Sequence, residues 1–515
     1  MKRFVLPLFL VGTSFISLSA AGLTENLRYH VEMQATISQG KTPLWLQANR
    51  FGLSSLEHSN GYLRAAVIRP VPSDTVGKWG LGYGADVAVA SHFSSHTVVQ
   101  QCYVELRWLK GLLSVGSKEY PMELKDNQLS SGAQTFGINA RPIPQVRLAL
   151  PDYWTLPVLH DWLHLKGHVA FGRMTDDRWQ HDFTDRKSKF VDGTLYHSKA
   201  GYLKIGQQHR RWSLELGLEM GATFGGTAYR PGSDGKMEVL HNNNGLGAYW
   251  QAFVPGGSDV NETNYRNIEG NQLGSWLFRF NYDDPDLGWS VYADKFFEDH
   301  SAMFQLDYDG YGSGDEWNRK KKCRYFMYEF KDIMLGAELR LHRVNWLHSV
   351  VAEYLYTKYQ SGPIYHDHTP SISDHVGGQD DFYNHSIFTG WQHWGQVMGN
   401  PLYLSPIYNK DGRIMVANNR FMAIHLGCSG TLAHRLDYRL LATWQDGLGT
   451  YMNPYAHRRY NTSLLVEANY QFASRSLSGW GVTGSFGLDT GEIRGNNSGF
   501  QLTVTKRGVF GKQTK

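Results

Sequence analysis

Between Leu27 and Ile37, apolar and polar side chains alternate without a break. Leu27, Tyr29, Val31, Met33, Ala35 and Ile37 take one parity; Arg28, His30, Glu32, Gln34 and Thr36 take the other. A strand turns successive side chains to opposite faces, so this stretch carries one apolar and one polar face. The pattern returns along the chain. In Gln101–Leu109, Gln101, Tyr103, Glu105 and Arg107 oppose Cys102, Val104, Leu106 and Trp108. Trp212, Leu214, Leu216, Leu218 and Met220 oppose Glu215 and Glu219, and four aromatics from Trp276 to Tyr282 oppose Arg279 and Asn281. Val350, Ala352, Tyr354 and Tyr356 oppose Glu353, and Leu464, Val466, Ala468, Tyr470 and Phe472 oppose Glu467, Asn469 and Gln471. Weaker segments of the same period lie near 62–69, 79–90, 165–172, 199–206, 289–296, 325–330, 335–342, 420–428, 435–445, 480–488 and 498–510.

Turn chemistry separates neighbouring segments. Gln207–Arg211 parts the Leu203/Ile205 strand from the Trp212 strand, and Asp283-Asp284-Pro285-Asp286-Leu287-Gly288 parts the Trp276 strand from the Trp289 strand. Asp-Pro and Leu-Gly steps of this kind mark turns. Hairpins in series predict an antiparallel meander, the pattern of an up-and-down barrel. At roughly 10 residues per strand plus connections, the chain suits an all-β transmembrane barrel of about 16–18 strands, lipid outside and polar groups inside. The competing expectation is a soluble, exported all-β protein. Trp and Tyr at strand ends weigh against it, since a soluble core favours Ile, Leu and Val, whereas 29 Tyr and 16 Trp suit girdles at two membrane interfaces. The last strand closes on Phe510, although Lys506 and Gly508 break its apolar parity.

Residues 1–21 read as a signal peptide: Lys2 and Arg3, an apolar run from Phe4 to Ile16, and Ser19-Ala20-Ala21 as a cleavage site. The expected mature barrel is 22–515, with three inserted segments. Residues 121–161 are Pro-rich and resemble none of the strands; 221–275 are rich in Gly, Asn and charge; 358–418 carry many His, Asp, Asn and Gly. Loops of such length are usually functional. Loss of Lys2 and Arg3 takes the formal charge from +4 to +2, which gives no electrostatic case for nucleic acid. Cys102, Cys323 and Cys428 are an odd number and make no disulfide framework; Cys102 reads as a small hydrophobe.

Several segments, taken in order, resemble the Wzi-type capsule assembly proteins. They are Trp45-Leu46-Gln47-Ala48-Asn49-Arg50-Phe51-Gly52, Leu129-Ser130-Ser131-Gly132 with Asn139–Arg147 and Pro151–Trp154, Gly399–Leu402 with Ser405–Asn409, and Asn418-Asn419-Arg420 with His425-Leu426-Gly427. The resemblance implies a barrel of about eighteen strands closed at the periplasmic end by a small helical part. It also implies a lectin-like role without enzymatic activity. The expected partners are capsular or other surface polysaccharide, outer-membrane lipids and, during biogenesis, the barrel-assembly machinery. No cofactor is expected.

The 358–418 segment is the expected glycan-contacting surface, through Trp391, Trp394, Tyr403, Tyr408, Asn384 and Gln392. Sugars offer apolar C–H faces to aromatic rings and hydroxyls to planar amides. The competing role for these residues is an interfacial girdle or the loop's own core. Arg141 and Arg147 flank the stiff Pro142-Ile143-Pro144, expected to insert into the lumen as a plug and pair lumenal carboxylates. Tyr365–His368 and Asp374-His375 have metal-ligand chemistry, but a solvated loop explains them as well. His385-Ser386 echoes a hydrolase pair, yet adjacent residues on an extended chain point apart. A diffusive porin and an outer-membrane hydrolase are the alternative functions.

Overall fold

The computed structural model describes residues 25–72, 78–157, 159–207, 209–232, 234–254, 270–298, 303, 310–311, 319–321, 331–365 and 376–510. Eighteen strands form one sheet. They are β1 (Arg28–Gln39), β2 (Ser59–Arg69), β3 (Trp79–Ser91), β4 (Thr97–Trp108), β5 (Gly111–Ser117), β6 (Gln145–Thr155), β7 (Leu163–Arg173), β8 (Leu195–Ile205) and β9 (Trp212–Phe224). The second half comprises β10 (Asn271–Asp283), β11 (Leu287–Glu298), β12 (Ile333–Leu341), β13 (Ser349–Tyr356), β14 (Phe421–Ala433), β15 (Leu436–Gly449), β16 (Pro454–Gln471), β17 (Trp480–Gly491) and β18 (Asn497–Val509). Each strand pairs antiparallel with the next in sequence. The seam closes where β1 pairs with both β2 and β18, Tyr29 lying opposite Val67 on one side and Gly508 on the other. Closure leaves no unpaired edge.

The faces are inverted relative to a soluble protein. On β1, Ile37 is 71% exposed while its neighbour Thr36 is 1% exposed. Met33, Leu63, Val89, Leu148, Leu426 and Val466 likewise point outward, and Gln34, Asp86, Glu105, Glu353 and Gln501 point inward. An apolar exterior over a polar interior is the pattern of a barrel in lipid. No helix among the described residues is long and apolar enough to cross a membrane; the chain crosses with strands. Cys102 lies on the outer face with Val104, Leu106 and Trp108, as expected of a small hydrophobe.

Both ends of the barrel sequence lie at one rim, where the connections are short: 109–110, 284–286 and 434–435 are examples. Exposed Trp79, Trp108, Trp154, Trp212, Trp289 and Trp480 ring this rim. Trp79 and Trp108 stand 6.0 Å apart, and Tyr282 and Trp289 stand 5.9 Å apart. Exposed Trp276, Trp444 and Tyr460 mark a second belt toward the opposite rim. Short turns belong to the periplasmic rim and long connections to the outer one. All the long connections, 40–58, 118–144, 174–194, 225–270, 299–332 and 357–420, leave from the outer rim.

Three expectations are corrected. Gln145–Thr155, inside the 121–161 segment, is barrel strand β6; Pro151 falls where its register with β7 slips between Leu150 and Trp154, so the proline needs no ladder bond. The 221–275 segment ends one strand and begins the next; between them lie Thr227–Pro231, paired with Met237–His241 and Phe190–Asp192, and a helix, Leu246–Phe253. Finally, the helices Leu44–Gln47, Asp177–Thr184 and Leu246–Phe253 all belong to outer-rim connections, whereas among the described residues the periplasmic rim shows only single turns at Leu159–Asp161 and Arg475–Leu477. Among the described residues, the closing element enters from outside. The segment near 325–330 lies outside the described residues.

That element is a plug with its own apolar core. Leu44, Trp45 and Leu46 of the 40–58 connection join Leu129 and Ile143 of the 118–144 connection and Phe382, Tyr383, Trp391, Val397, Leu402, Tyr403 and Val416 of the 357–420 segment. They pack against Tyr196, Tyr292, Phe296, Leu355 and Phe421 of the wall. Each such side chain contributes about 1.5–3 kcal/mol by leaving water. The polar wall satisfies the plug's backbone. Glu353 accepts from Ser130 Oγ (2.5 Å), Ser131 N (2.8 Å) and Tyr292 Oη (2.6 Å). Asp294 takes Lys125 Nζ at 2.8 Å and Gln134 N at 3.1 Å, and Glu298 takes Tyr383 N at 2.8 Å. A buried N–H demands a partner, and inward-facing carboxylates supply it.

Candidate functional site

Burial divides the expected glycan-binding residues. Trp391, Gln392 and Tyr403 are fully buried. Trp391 donates Nε1–H to Thr135 O at 2.9 Å, and Tyr403 stacks on Tyr383 with ring centroids 4.1 Å apart. Gln392 bridges Asp176 Oδ2 and Gly395 N. Asn384 accepts from Val416 N and donates to Val416 O, closing the loop on itself. Trp391, Gln392 and Tyr403 hold the plug together from its interior, which corrects the expectation that these three face a ligand; Asn384 is half-buried. The aromatic-rich composition belongs to a core inside the lumen. Trp394 is part-exposed, whereas Tyr408 is buried in a separate cluster with Leu404 and Ile493.

Trp394 sits at the tip of a two-residue hairpin, between Gln392–His393 and Gln396–Val397. Its φ is +54° and that of Gly395 is +78°, a turn with both central residues left-handed. Gly and Asn favour such positions; a tryptophan there carries strain of order 1–2 kcal/mol. The strain displays a part-exposed indole beside the Arg141 guanidinium, whose Cζ lies 4.3 Å from the ring centroid. Arg141 donates to Ser94 Oγ at 2.8 Å, in the outer turn between β3 and β4. Burial draws its pKa down to about 10, with only the Asp176 charge opposing.

The arginine expectation is corrected in its partners. Among the described residues neither Arg141 nor Arg147 forms an ion pair. Arg141 belongs to the plug, but Arg147 belongs to wall strand β6 and lies over the Tyr120 ring at 4.0 Å. The pairing with lumenal carboxylates is made by other cations of the outer-rim connections: Lys125 with Asp294, Lys118 with Glu105, Lys358 with Asp446 and Arg50 with Glu467.

His385 is a turn cap. Its Nδ1 accepts the N–H groups of Ile387 (3.0 Å) and Phe388 (3.1 Å). Burial, with Lys189 nearby, pushes its pKa down to about 3, so the ring is the neutral acceptor those bonds need. Among the described residues no three His, Cys, Asp or Glu side chains are arranged to hold a metal ion; His366–His368 and Asp374-His375 lie outside them.

Further cation–ring pairs lie along the outer rim. Arg420 stands 3.5 Å from the Tyr451 ring and Arg459 stands 4.2 Å from the Tyr455 ring. Lys41 Nζ and Arg494 Cζ stand 4.8 and 5.2 Å from the Tyr408 ring. Arg459 is four residues from its ring, but Arg420, Lys41 and Arg494 lie far along the chain from theirs, so no local pattern marks these three pairs. Below the plug the lumen opens into polar cavities. One of about 550 Å³ is lined by Arg50, Arg439, Glu467, Asn469, Gln471 and Thr483, among others.

No protein-family model and no curated protein matches the chain. Among solved structures it is similar to Wzi, an outer-membrane protein involved in group 1 capsule assembly in Escherichia coli and a carbohydrate-binding β-barrel. The TM-score is 0.54 at 12% identity, covering 96% of this chain and 86% of that one. It also matches two Pseudomonas aeruginosa structures: OccK8 (OprE), with TM-score 0.45, 10% identity and 94% and 98% coverage, and OprD, with TM-score 0.44, 9% identity and 95% and 96% coverage. At these identities likeness speaks to fold alone, and of the three the Wzi match is close enough to do so. The chain has the fold of an outer-membrane β-barrel.

Proposed function

We propose that this protein is a plugged barrel that binds surface polysaccharide non-covalently at its outer face and aids capsule assembly or attachment. The observation that carries the reading is the apolar core inside the lumen, built from four outer-rim connections and fastened to wall carboxylates. A diffusive channel needs a continuous wet path, which such a core opposes. The rim of that plug displays aromatic rings beside cations, the chemistry that grips sugar faces and acidic groups. Wzi, of similar fold, is a carbohydrate-binding barrel. The role is one of holding, without turnover. The test is a deletion strain scored for cell-attached and released polysaccharide, with the purified protein examined in planar bilayers. Polysaccharide shed into the medium, with no steady large conductance, supports the reading. Unchanged polysaccharide with a large steady conductance overturns it in favour of a porin.

A further inference from the structure

Three segments distant in sequence meet at the outer ends of β1, β17 and β18. Gly40, at φ +80°, turns the chain out of β1 so tightly that a Cβ there would stand 2.4 Å from Asn497 Oδ1. The same oxygen accepts Lys41 N–H at 2.8 Å, which fixes Lys41 over the plug. The turn Pro406–Tyr408 brings up Tyr408, held by Gln47 Nε2 donating to its hydroxyl at 2.8 Å, with Lys410 exposed just beyond. Arg494 enters from the turn between β17 and β18, anchored by its N–H to Asn461 Oδ1.

The result is a crowding of like charge. Burial, and then the charges of Lys410 and Arg494, draw the Lys41 pKa below its ordinary value, with only Glu57 acting the other way. Arg494 is 5% exposed. One of its Nη groups donates to Pro401 O, but its Nε and the other Nη have no hydrogen-bond acceptor. Buried donors without acceptors are rare in folded proteins. Asp489, a wall carboxylate whose charge acts on Arg494, accepts Leu44 N–H through Oδ2 at 3.0 Å, and its Oδ1 has no hydrogen-bond partner, so one acid faces this group of cations. Cations gathered at one point with unmet N–H groups suit an anionic oxygen group.

We propose, resting on the polysaccharide reading, that Lys41, Lys410, Arg494 and Tyr408 form a subsite for the carboxylate of an acidic polysaccharide. The same chemistry would take a glycolipid phosphate. The carboxylate is favoured because Tyr408 and Arg494 are buried among plug residues inside the strand ring, with Leu404 and Ile493, away from the lipid-facing wall.

The experiment titrates the full-length protein in detergent with polyglucuronic acid, and with the same chain after its carboxyl groups are reduced to alcohols. Wild type is expected to bind the acid form about tenfold tighter than the reduced form. Lys41→Gln with Lys410→Gln, both on side chains that reach solvent, is expected to abolish that preference. Lys78→Gln with Lys110→Gln makes the same charge change at the periplasmic rim and is expected to leave it intact. Equal affinity for the two forms overturns the subsite while leaving the polysaccharide reading standing. Equal loss in the periplasmic-rim variant overturns it in favour of diffuse charge. Binding of lipopolysaccharide that disappears on dephosphorylation, with no binding of the polyuronate, assigns the cations to phosphate and overturns the carboxylate. Binding of no glycan, acid or reduced, overturns both inferences.

Discussion

Lys125→Met tests whether the plug is held by its buried ion pair. Lys125 Nζ lies 2.8 Å from Asp294 Oδ2, and the two side chains are 1% and 0% exposed. With the lysine gone, Asp294 retains only the Gln134 N–H at 3.1 Å, and its other oxygen already lacks a partner. Removing one member of a buried pair costs about 3–5 kcal/mol, because the remaining charge is stranded. Taking the lower end, since one N–H remains, gives about 3 kcal/mol, or roughly 150-fold in the balance between seated and released plug. Two assays read this: denaturant unfolding in detergent, and planar bilayers, where release should appear as intermittent conductance absent from wild type. Adding Asp294→Asn removes the stranded charge and leaves an amide oxygen for Gln134, so the double variant should recover more than half of the loss. A single variant as stable and as closed as wild type refutes the reasoning. So does a double variant no better than the single, which would place the loss in packing.

Four further outcomes follow from the geometry. Trp394→Gly relieves the left-handed strain at the hairpin tip, so unfolding should hold steady or gain about 1 kcal/mol while polysaccharide retention falls; a clear loss of stability would make the indole a packing element. Gly221→Ala places a Cβ 2.3 Å from Trp391 Cη2, on a ring that is fully buried and hydrogen-bonded; overpacking should destabilise by about 1–3 kcal/mol, and unchanged melting would show the plug to be looser than described. His385 in the folded protein takes a proton only near pH 3, against 6.5 ordinarily. The unfolded chain binds more protons between those values, so stability falls as pH drops from 6.5 toward 3, by on the order of 2 kcal/mol at pH 5; His385→Asn, whose amide oxygen can take the same N–H bonds, should flatten that part of the curve, and an identical curve would assign the loss to other groups. Removing residues 382–416 should turn a closed barrel into a steadily conducting one, and a deletion protein that stays closed would move the seal to 118–144.

Strand positions were legible because a wall with lipid on one side and a polar lumen on the other imposes a two-residue period on each strand. Glu215 and Glu219 facing in, with Leu214 and Leu216 facing out, is that period made physical. Strand β6 escaped because Pro142, Pro144 and Pro151 mask its alternation, and a break in register that absorbs a proline leaves no local mark. The plug was hidden for a different reason. A sugar-binding loop and a core packed inside a polar tube draw on the same residues: aromatics for area, amides for hydrogen bonds. Trp391 and Trp394 are three residues apart, yet one is at the centre of that core and the other at a turn tip. The Trp394-Gly395 step, flanked by two short extended pairs, was the available signal for the second. Nothing local joins Lys41, Lys410 and Arg494; only barrel closure does.

The fastening of the plug also bears on how the chain is built. Leu129–Ile143 is made early, but the groups that clasp it, Asp294, Glu353 and His425, stand on β11, β13 and β14. Trp45 waits longer still, for Thr443 of β15. A half-synthesised wall therefore holds apolar plug surface that it has no means to cover, and that surface faces the lumen side. The hazard during biogenesis is on the inside of the incomplete sheet as much as on its greasy exterior. A factor that escorts this chain must shield the concave face until the last strands arrive, and closure of the seam and filling of the lumen become a single late event.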